Sequence, residues 1–141
     1  MKVVDANVLL YAVNQSSSRH DVSRRWLDGA LSGGATVGFA WSALLAFIRL
    51  STKPNLFPRP LETGEALDRV DAWLSSPAAT VIEPGGRHPT ILRDLLRGLG
   101  AGGNVTSDAQ LAALAIEHRG SVVSFDSDFA RFDGLRWEQP R

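Results

Sequence analysis

Short runs rich in Val and other strand-forming residues recur along this chain, and a longer stretch with helical spacing separates most of them from the next. That alternation constrains the fold more than any other feature. Strands joined through intervening helices pair in parallel, and a parallel sheet must be covered on both faces. Met1 to Asp5 reads as a strand ending at Asp5, and Asp5 and Asn7 can cap a helix that turns Val8, Leu9 and Val13 inward. After a polar break at Ser16 to Ser18, His20 to Leu31 carries Val22, Trp26, Leu27 and Leu31 at helical spacing and stops at Gly33-Gly34. Ala35 to Ala40 is a strand, and Trp41 to Ser51 a buried helix. Three prolines make Pro54 to Pro60 a loop. Further helices are expected from Gly64 to Leu74, capped by Thr63, from His88 to Arg97, and from Asp108 to Arg119, capped by Thr106 or Ser107. Thr80 to Ile82, Ser121 to Phe125 and Leu135 to Trp137 complete the strands, and Gly98 to Gly103 is a flexible loop. The expectation is α/β, with one domain over residues 1–141 and a central parallel β-sheet flanked by α-helices.

Composition narrows the class. The 141 residues, 44% of them hydrophobic, can bury a sound core without covalent staples. There is no cysteine, which excludes disulfides and thiolate zinc sites and points to a reducing, cytoplasmic setting. No apolar run approaches the ~18 residues of a membrane span, and no membrane role is expected. Fifteen basic residues balance fifteen acidic ones, so a nucleic-acid partner would have to be met by a local patch.

In parallel α/β sheets, ligands bind at the carboxyl ends of the central strands. Asp5 ends one predicted strand, Asp126 and Asp128 end another, and Asp108 starts a helix after the Gly-rich loop. Taken singly, Asp5 serves as a helix cap, Asp108 as a partner of the helix dipole and Asp126 as a turn residue. Their common edge makes them a candidate site. Carboxylates gathered in one cleft resist joint ionisation unless a cation compensates, and an all-oxygen set favours a hard ion such as Mg²⁺, or Mn²⁺. Zinc is disfavoured, because His20, His88 and His118 are not spaced as ligands and read as surface or capping residues. Asn7 and Ser124 stand beside these carboxylates as candidate supports. Arg49, on the helix nearest the predicted cleft, is the best-placed of thirteen arginines to meet a phosphate. The Gly-rich loop lacks the lysine of a nucleotide-binding phosphate loop.

Four segments, VVDANVLLYA, WSALLAFIRLST, TSDAQLAALAIEHRG and SVVSFDSDFARFDGLRW, together resemble the PIN-domain nucleases, and among them the VapC-type ribonuclease toxins of toxin–antitoxin pairs. The resemblance spans essentially the whole chain. It implies a compact α/β fold and Mg²⁺- or Mn²⁺-dependent endonucleolytic cleavage of RNA, tRNA or rRNA in family members. The family's acidic residues map onto Asp5, Asp108 and Asp126 as catalytic and metal-binding positions. Asp128 is a further acidic ligand position, and Ser124 is the hydroxyl residue of its segment. The implied partners are a second copy of the chain, as a homodimer, and a VapB-type antitoxin that lays an apolar stretch and a basic residue over the acidic cleft.

One departure stands out. The family places a Glu about one turn before the Arg that here is Arg49, and this chain has Ala46 there, with no acidic residue between Asp28 and Glu62. Three readings follow: a natural site working with fewer carboxylates, a binding module that no longer cuts, or an inactivating substitution. A phosphotransferase of the haloacid dehalogenase type is the weakest alternative, since position 7 is Asn and the only lysines are Lys2 and Lys53. Most of the four Trp and six Phe read as core, with Trp41, Phe47 and the helix around Trp73 the candidates for a dimer face or an antitoxin helix.

Overall fold

The computed structural model describes residues 1–99, 103 and 105–141. Five strands, β1 (Lys2–Val4), β2 (Val37–Ala40), β3 (Ala79–Ile82), β4 (Ser121–Val123) and β5 (Arg136–Glu138), form one sheet in the order β3-β2-β1-β4-β5. Every pairing is parallel, with Val3 opposite Gly38 on one side and Val122 on the other. Among the described residues six α-helices connect the strands: α1 (Ala6–Val13), α2 (His20–Leu31), α3 (Trp41–Ser51), α4 (Thr63–Leu74), α5 (His88–Arg97) and α6 (Val105–Glu117). The expected parallel sheet flanked by helices is what the chain forms.

The two-residue period of the strands assigns the core. Val4 and Val123 face a layer built from α1 to α4, where Val8, Leu9, Leu27, Phe39, Leu44, Phe47 and Val70 pack. Val3 and Val122 face the opposite layer, where Leu95, the alanines of α6, Phe129 and Phe132 pack. Small side chains let α6 lie close to the sheet: Ala109, Ala112, Ala113 and Ala115 are fully buried. Gly120 serves a similar close approach, since a Cβ there would sit 2.7 Å from the Met1 carbonyl oxygen.

Several boundaries move for identifiable reasons. Helix α4 is capped by Glu62 rather than Thr63, and the Glu65 side chain accepts from the Glu62 N–H at 3.1 Å. Helix α6 begins at Val105, so Thr106 and Ser107 lie inside it and do not cap it. Strand β4 ends at Val123, because the Phe125 N–H turns to the Asn7 Oδ1 (3.3 Å). A turn of 3-10 helix, Ser127–Arg131, follows. His88 is buried rather than a surface residue, with Nδ1 3.9 Å from Glu117 Oε1. Glu117 accepts from the Gly85 and Arg87 N–H groups, and these bonds hold its carboxyl below the usual range. Phe47 is fully buried, its ring 4.8 Å from that of the half-buried Trp73, which removes Phe47 as an interface candidate; Trp41 is 44% exposed. Residues 100–102 of the expected Gly-rich loop lie outside the described residues. Among the described residues no helix is long and apolar enough to cross a membrane.

Topology fixes where a ligand can sit. The chain leaves β1 toward β2 and β3, then returns through α5 and α6 to β4 on the other side of β1. The strand order therefore reverses between β1 and β4, and a crevice opens beyond their carboxyl ends.

Candidate metal centre

Asp5 follows the last residue of β1, and Ser124 follows the last residue of β4. Both therefore enter the crevice directly. Asp5 caps α1, its Oδ1 accepting from the Ala6 N–H at 2.7 Å, while its Oδ2 accepts from the Ser124 hydroxyl at 2.7 Å. Ser124 is fully buried, and its oxygen also accepts from Asn7 Nδ2 (3.0 Å) and from the Asp126 N–H (3.0 Å). Asn7 Oδ1 in turn receives the Phe125 N–H. Asn7 and Ser124 thus tie the ends of β1 and β4 together.

Asp126 caps the 3-10 turn by accepting from the Asp128 N–H at 2.8 Å, and so brings Asp128 toward itself. Asp108 arrives from the first turn of α6. One oxygen from each of Asp108, Asp126 and Asp128 lies within 4.8 Å of the others, a spacing that one ion can bridge. Asp5 is not in that trio; it shares a cleft with Asp108, walled by Ser42, Ala43, Leu45, Ala46 and Arg49 of α3 and by Ser107 and Leu111 of α6. Ser42 and Gln110 bridge the two walls, hydroxyl to amide oxygen, at 2.9 Å. Arg49 is exposed on this wall and Ala46 half-buried, one turn apart.

The electrostatics are those of an uncompensated acidic site. Burial pushes the Asp108 carboxyl up to about 6, with Asp126, Asp5 and Asp128 adding repulsion and Arg131 opposing it. Burial also raises Asp5; the Ser124 and Ala6 hydrogen bonds oppose that rise, and Asp126 reinforces it. A cation would relieve each of these costs. The donors are all carboxylate oxygens, and among the described residues no histidine joins them, so the set fits a hard divalent ion and not zinc. Arg131 is the charged neighbour of these carboxylates that sequence reasoning missed. Its Nη2 lies 2.8 Å from Asp128 Oδ1, and the signal was its i, i+3 spacing from Asp128.

Nearly the whole chain, residues 2–135, matches the family model of the PIN domain, and the chain belongs to that family. Its relatives lie in the VapC branch. It is 59% identical to Ribonuclease VapC37 of Mycobacterium tuberculosis over 140 residues, covering 99% of this chain and 97% of that one. Ribonuclease VapC33 of the same organism is 37% identical over 140 residues, covering 99% and 98%. Among solved structures, that of VapBC2 from Rickettsia felis, bound to a DNA fragment from its promoter, aligns with a TM-score of 0.73 over 99% of this chain and 98% of that one. At 18% identity that likeness speaks for the fold.

Proposed function

We propose that this chain is a metal-dependent endoribonuclease, the toxin of a VapBC-type pair, acting as one domain over residues 1–141. The observation that carries the reading is the convergence of Asp108, Asp126 and Asp128 within 4.8 Å, with Asp5 in the same crevice and the Asp108 carboxyl raised to about 6. Its full-length likeness to two VapC ribonucleases supplies the substrate class, RNA.

Asp5, Asp108, Asp126 and Asp128 would hold the ion, Mg²⁺ or Mn²⁺, with Asp5, Asp108 and Asp126 as the catalytic carboxylates. When bound, such an ion polarises a phosphoryl oxygen and makes water a better nucleophile at neutral pH. The protein's own groups do the rest. Ser124 donates to Asp5, which orients its carboxylate and opposes the rise that burial imposes on it. Asn7 holds Ser124 and the Phe125 backbone, which fixes the approach of Asp126. Arg49, exposed at the cleft wall, offers a planar pair of donors to a phosphate of the bound strand. Ala46 brings a methyl group where the family supplies a carboxylate, so this chain works with a diminished site.

The partners follow from the same reading: a VapB-type antitoxin, a second copy of the chain in a homodimer, and a tRNA or rRNA substrate in the cytoplasm. The reading as a binding module without catalysis is not favoured, since every Asp position of the site is retained. Cleavage of labelled RNA in Mg²⁺, with and without a chelator, tests the proposal. The Ala46→Glu chain should cut in Mg²⁺ and stop on chelation, and cleavage indifferent to chelation would refute it.

A further inference from the structure

One feature next to the acidic crevice takes no part in holding a cation. Tyr11 of α1 and Phe125 meet edge to face with ring centroids 5.4 Å apart. The Arg19 guanidinium lies over both rings, 4.8 Å from the Phe125 centroid and 5.5 Å from that of Tyr11. Arg19 is exposed and makes no ion pair among the described residues, so its charge is not neutralised within the chain. Its backbone is fixed by a bond from its N–H to the Ser17 hydroxyl and by its carbonyl, which receives the Ser23 N–H. The next helical residue, His20, is pinned to the Tyr11 carbonyl through Nδ1 at 2.9 Å.

The placement is set by the site itself. Phe125 lies between Ser124 and Asp126 in sequence, and Asn7 holds its N–H. Tyr11 is four residues after Asn7 on α1, one turn along the same face, or ~6 Å of helix rise. A strand that held one phosphate in the crevice and ran on along α1 would meet these rings with its next nucleotide. Aromatic faces and guanidinium planes are what unpaired RNA bases stack on.

We propose that Arg19, Tyr11 and Phe125 form a stacking platform for one unpaired base next to the phosphate held at the metal centre, so that the substrate is single-stranded at that position. This rests on the ribonuclease reading for its orientation but is tested by binding alone. Because every base has a π-face, the platform selects strandedness rather than sequence. A purely structural clamp joining α1 to α2 would stabilise the fold without sensing a base.

The test uses the full chain and a fluorescent, mixed-sequence single-stranded RNA oligonucleotide in Mg²⁺. An abasic nucleotide is walked along the strand, and the affinity is read by anisotropy. Loss of the stacked base should weaken binding about tenfold at one position. In Arg19→Ala and in Tyr11→Leu that penalty should shrink to less than threefold, with melting temperatures measured alongside to show that the variants fold. A duplex of the same sequence should bind more weakly than the single strand. The proposal fails if no abasic position matters, or if the penalty is unchanged in both variants. Absence of metal-dependent cleavage in both the chain as it stands and its Ala46→Glu variant would overturn the ribonuclease reading while leaving the abasic penalty intact, so the two claims stand or fall separately.

Discussion

Replacing Ala46 by Glu is the most informative perturbation of this site. Position 46 is half-buried on α3 and lines the crevice shared by Asp5 and Asp108. Two ionised carboxylates ~7 Å apart repel by about 2 kcal/mol at an effective dielectric of ~20. A fifth carboxylate facing several others would therefore destabilise the metal-free protein by roughly 2 kcal/mol, after partial protonation and solvent screening. The same charge at ~4 Å from a divalent ion is attracted by about 8 kcal/mol at that dielectric, before desolvation is subtracted. The balance favours the loaded state. Metal affinity and RNA cleavage in Mg²⁺ should each rise about 10- to 100-fold, the range over which altered metal surroundings commonly act. Thermal unfolding with and without Mg²⁺, beside initial rates on labelled RNA, reads both effects. The variant should melt below the parent in chelator and close the gap in Mg²⁺. A variant that melts like its parent in both conditions and cuts no better would refute the placement of residue 46 in the metal site.

Three further outcomes follow from the geometry. Because Asp108 is raised to about 6 in the folded chain from 3.8, the folded state binds more protons than the unfolded one between those values. Metal-free stability should therefore increase as pH falls from 7 toward 4, by about 1–2 kcal/mol once solvent exposure of the carboxyl is allowed for, and urea titrations of Asp108→Asn should lack that component. Ser124→Ala leaves the half-buried Asp126 N–H and Asn7 amide without their acceptor and should cost about 1–3 kcal/mol in denaturant unfolding; a loss below 0.5 kcal/mol would contradict the assigned network. Arg131→Gln removes the cation paired with a half-exposed Asp128, so calorimetry should show Mg²⁺ or Mn²⁺ binding tightened roughly two- to fivefold with little change in melting temperature.

Much of this was legible in the sequence because it depends on local rules. The alternation of strands and helices determines a parallel sheet, and the rule for carboxyl ends then points to Asp5 and Asp126 without any contact being known. What the sequence concealed depends on packing across elements. Helix α6 starts at Val105, before the residues whose chemistry suits capping, so Asp108 lies at the end of its first turn rather than at its first residue. His88 reads as a surface residue until Glu117, twenty-nine positions later, folds against it. Trp73 and Phe47 read as spare aromatics until the distance between α3 and α4 makes them one cluster. Asp5 does not complete the tight trio; its side chain is drawn to Ser124 from the neighbouring strand, a pairing that no spacing within one segment could reveal.

The claim that Asp108, Asp126 and Asp128 form a divalent-metal site is tested most directly by titrating Mn²⁺ into the chain and following free ion by electron paramagnetic resonance. One ion should bind per chain near pH 7.5, Mg²⁺ should displace it, and Asp108→Asn and Asp126→Asn should each weaken binding at least tenfold while both variants stay folded. Binding that is unchanged in both variants, or no saturable binding by the chain or by its Ala46→Glu form, would contradict it.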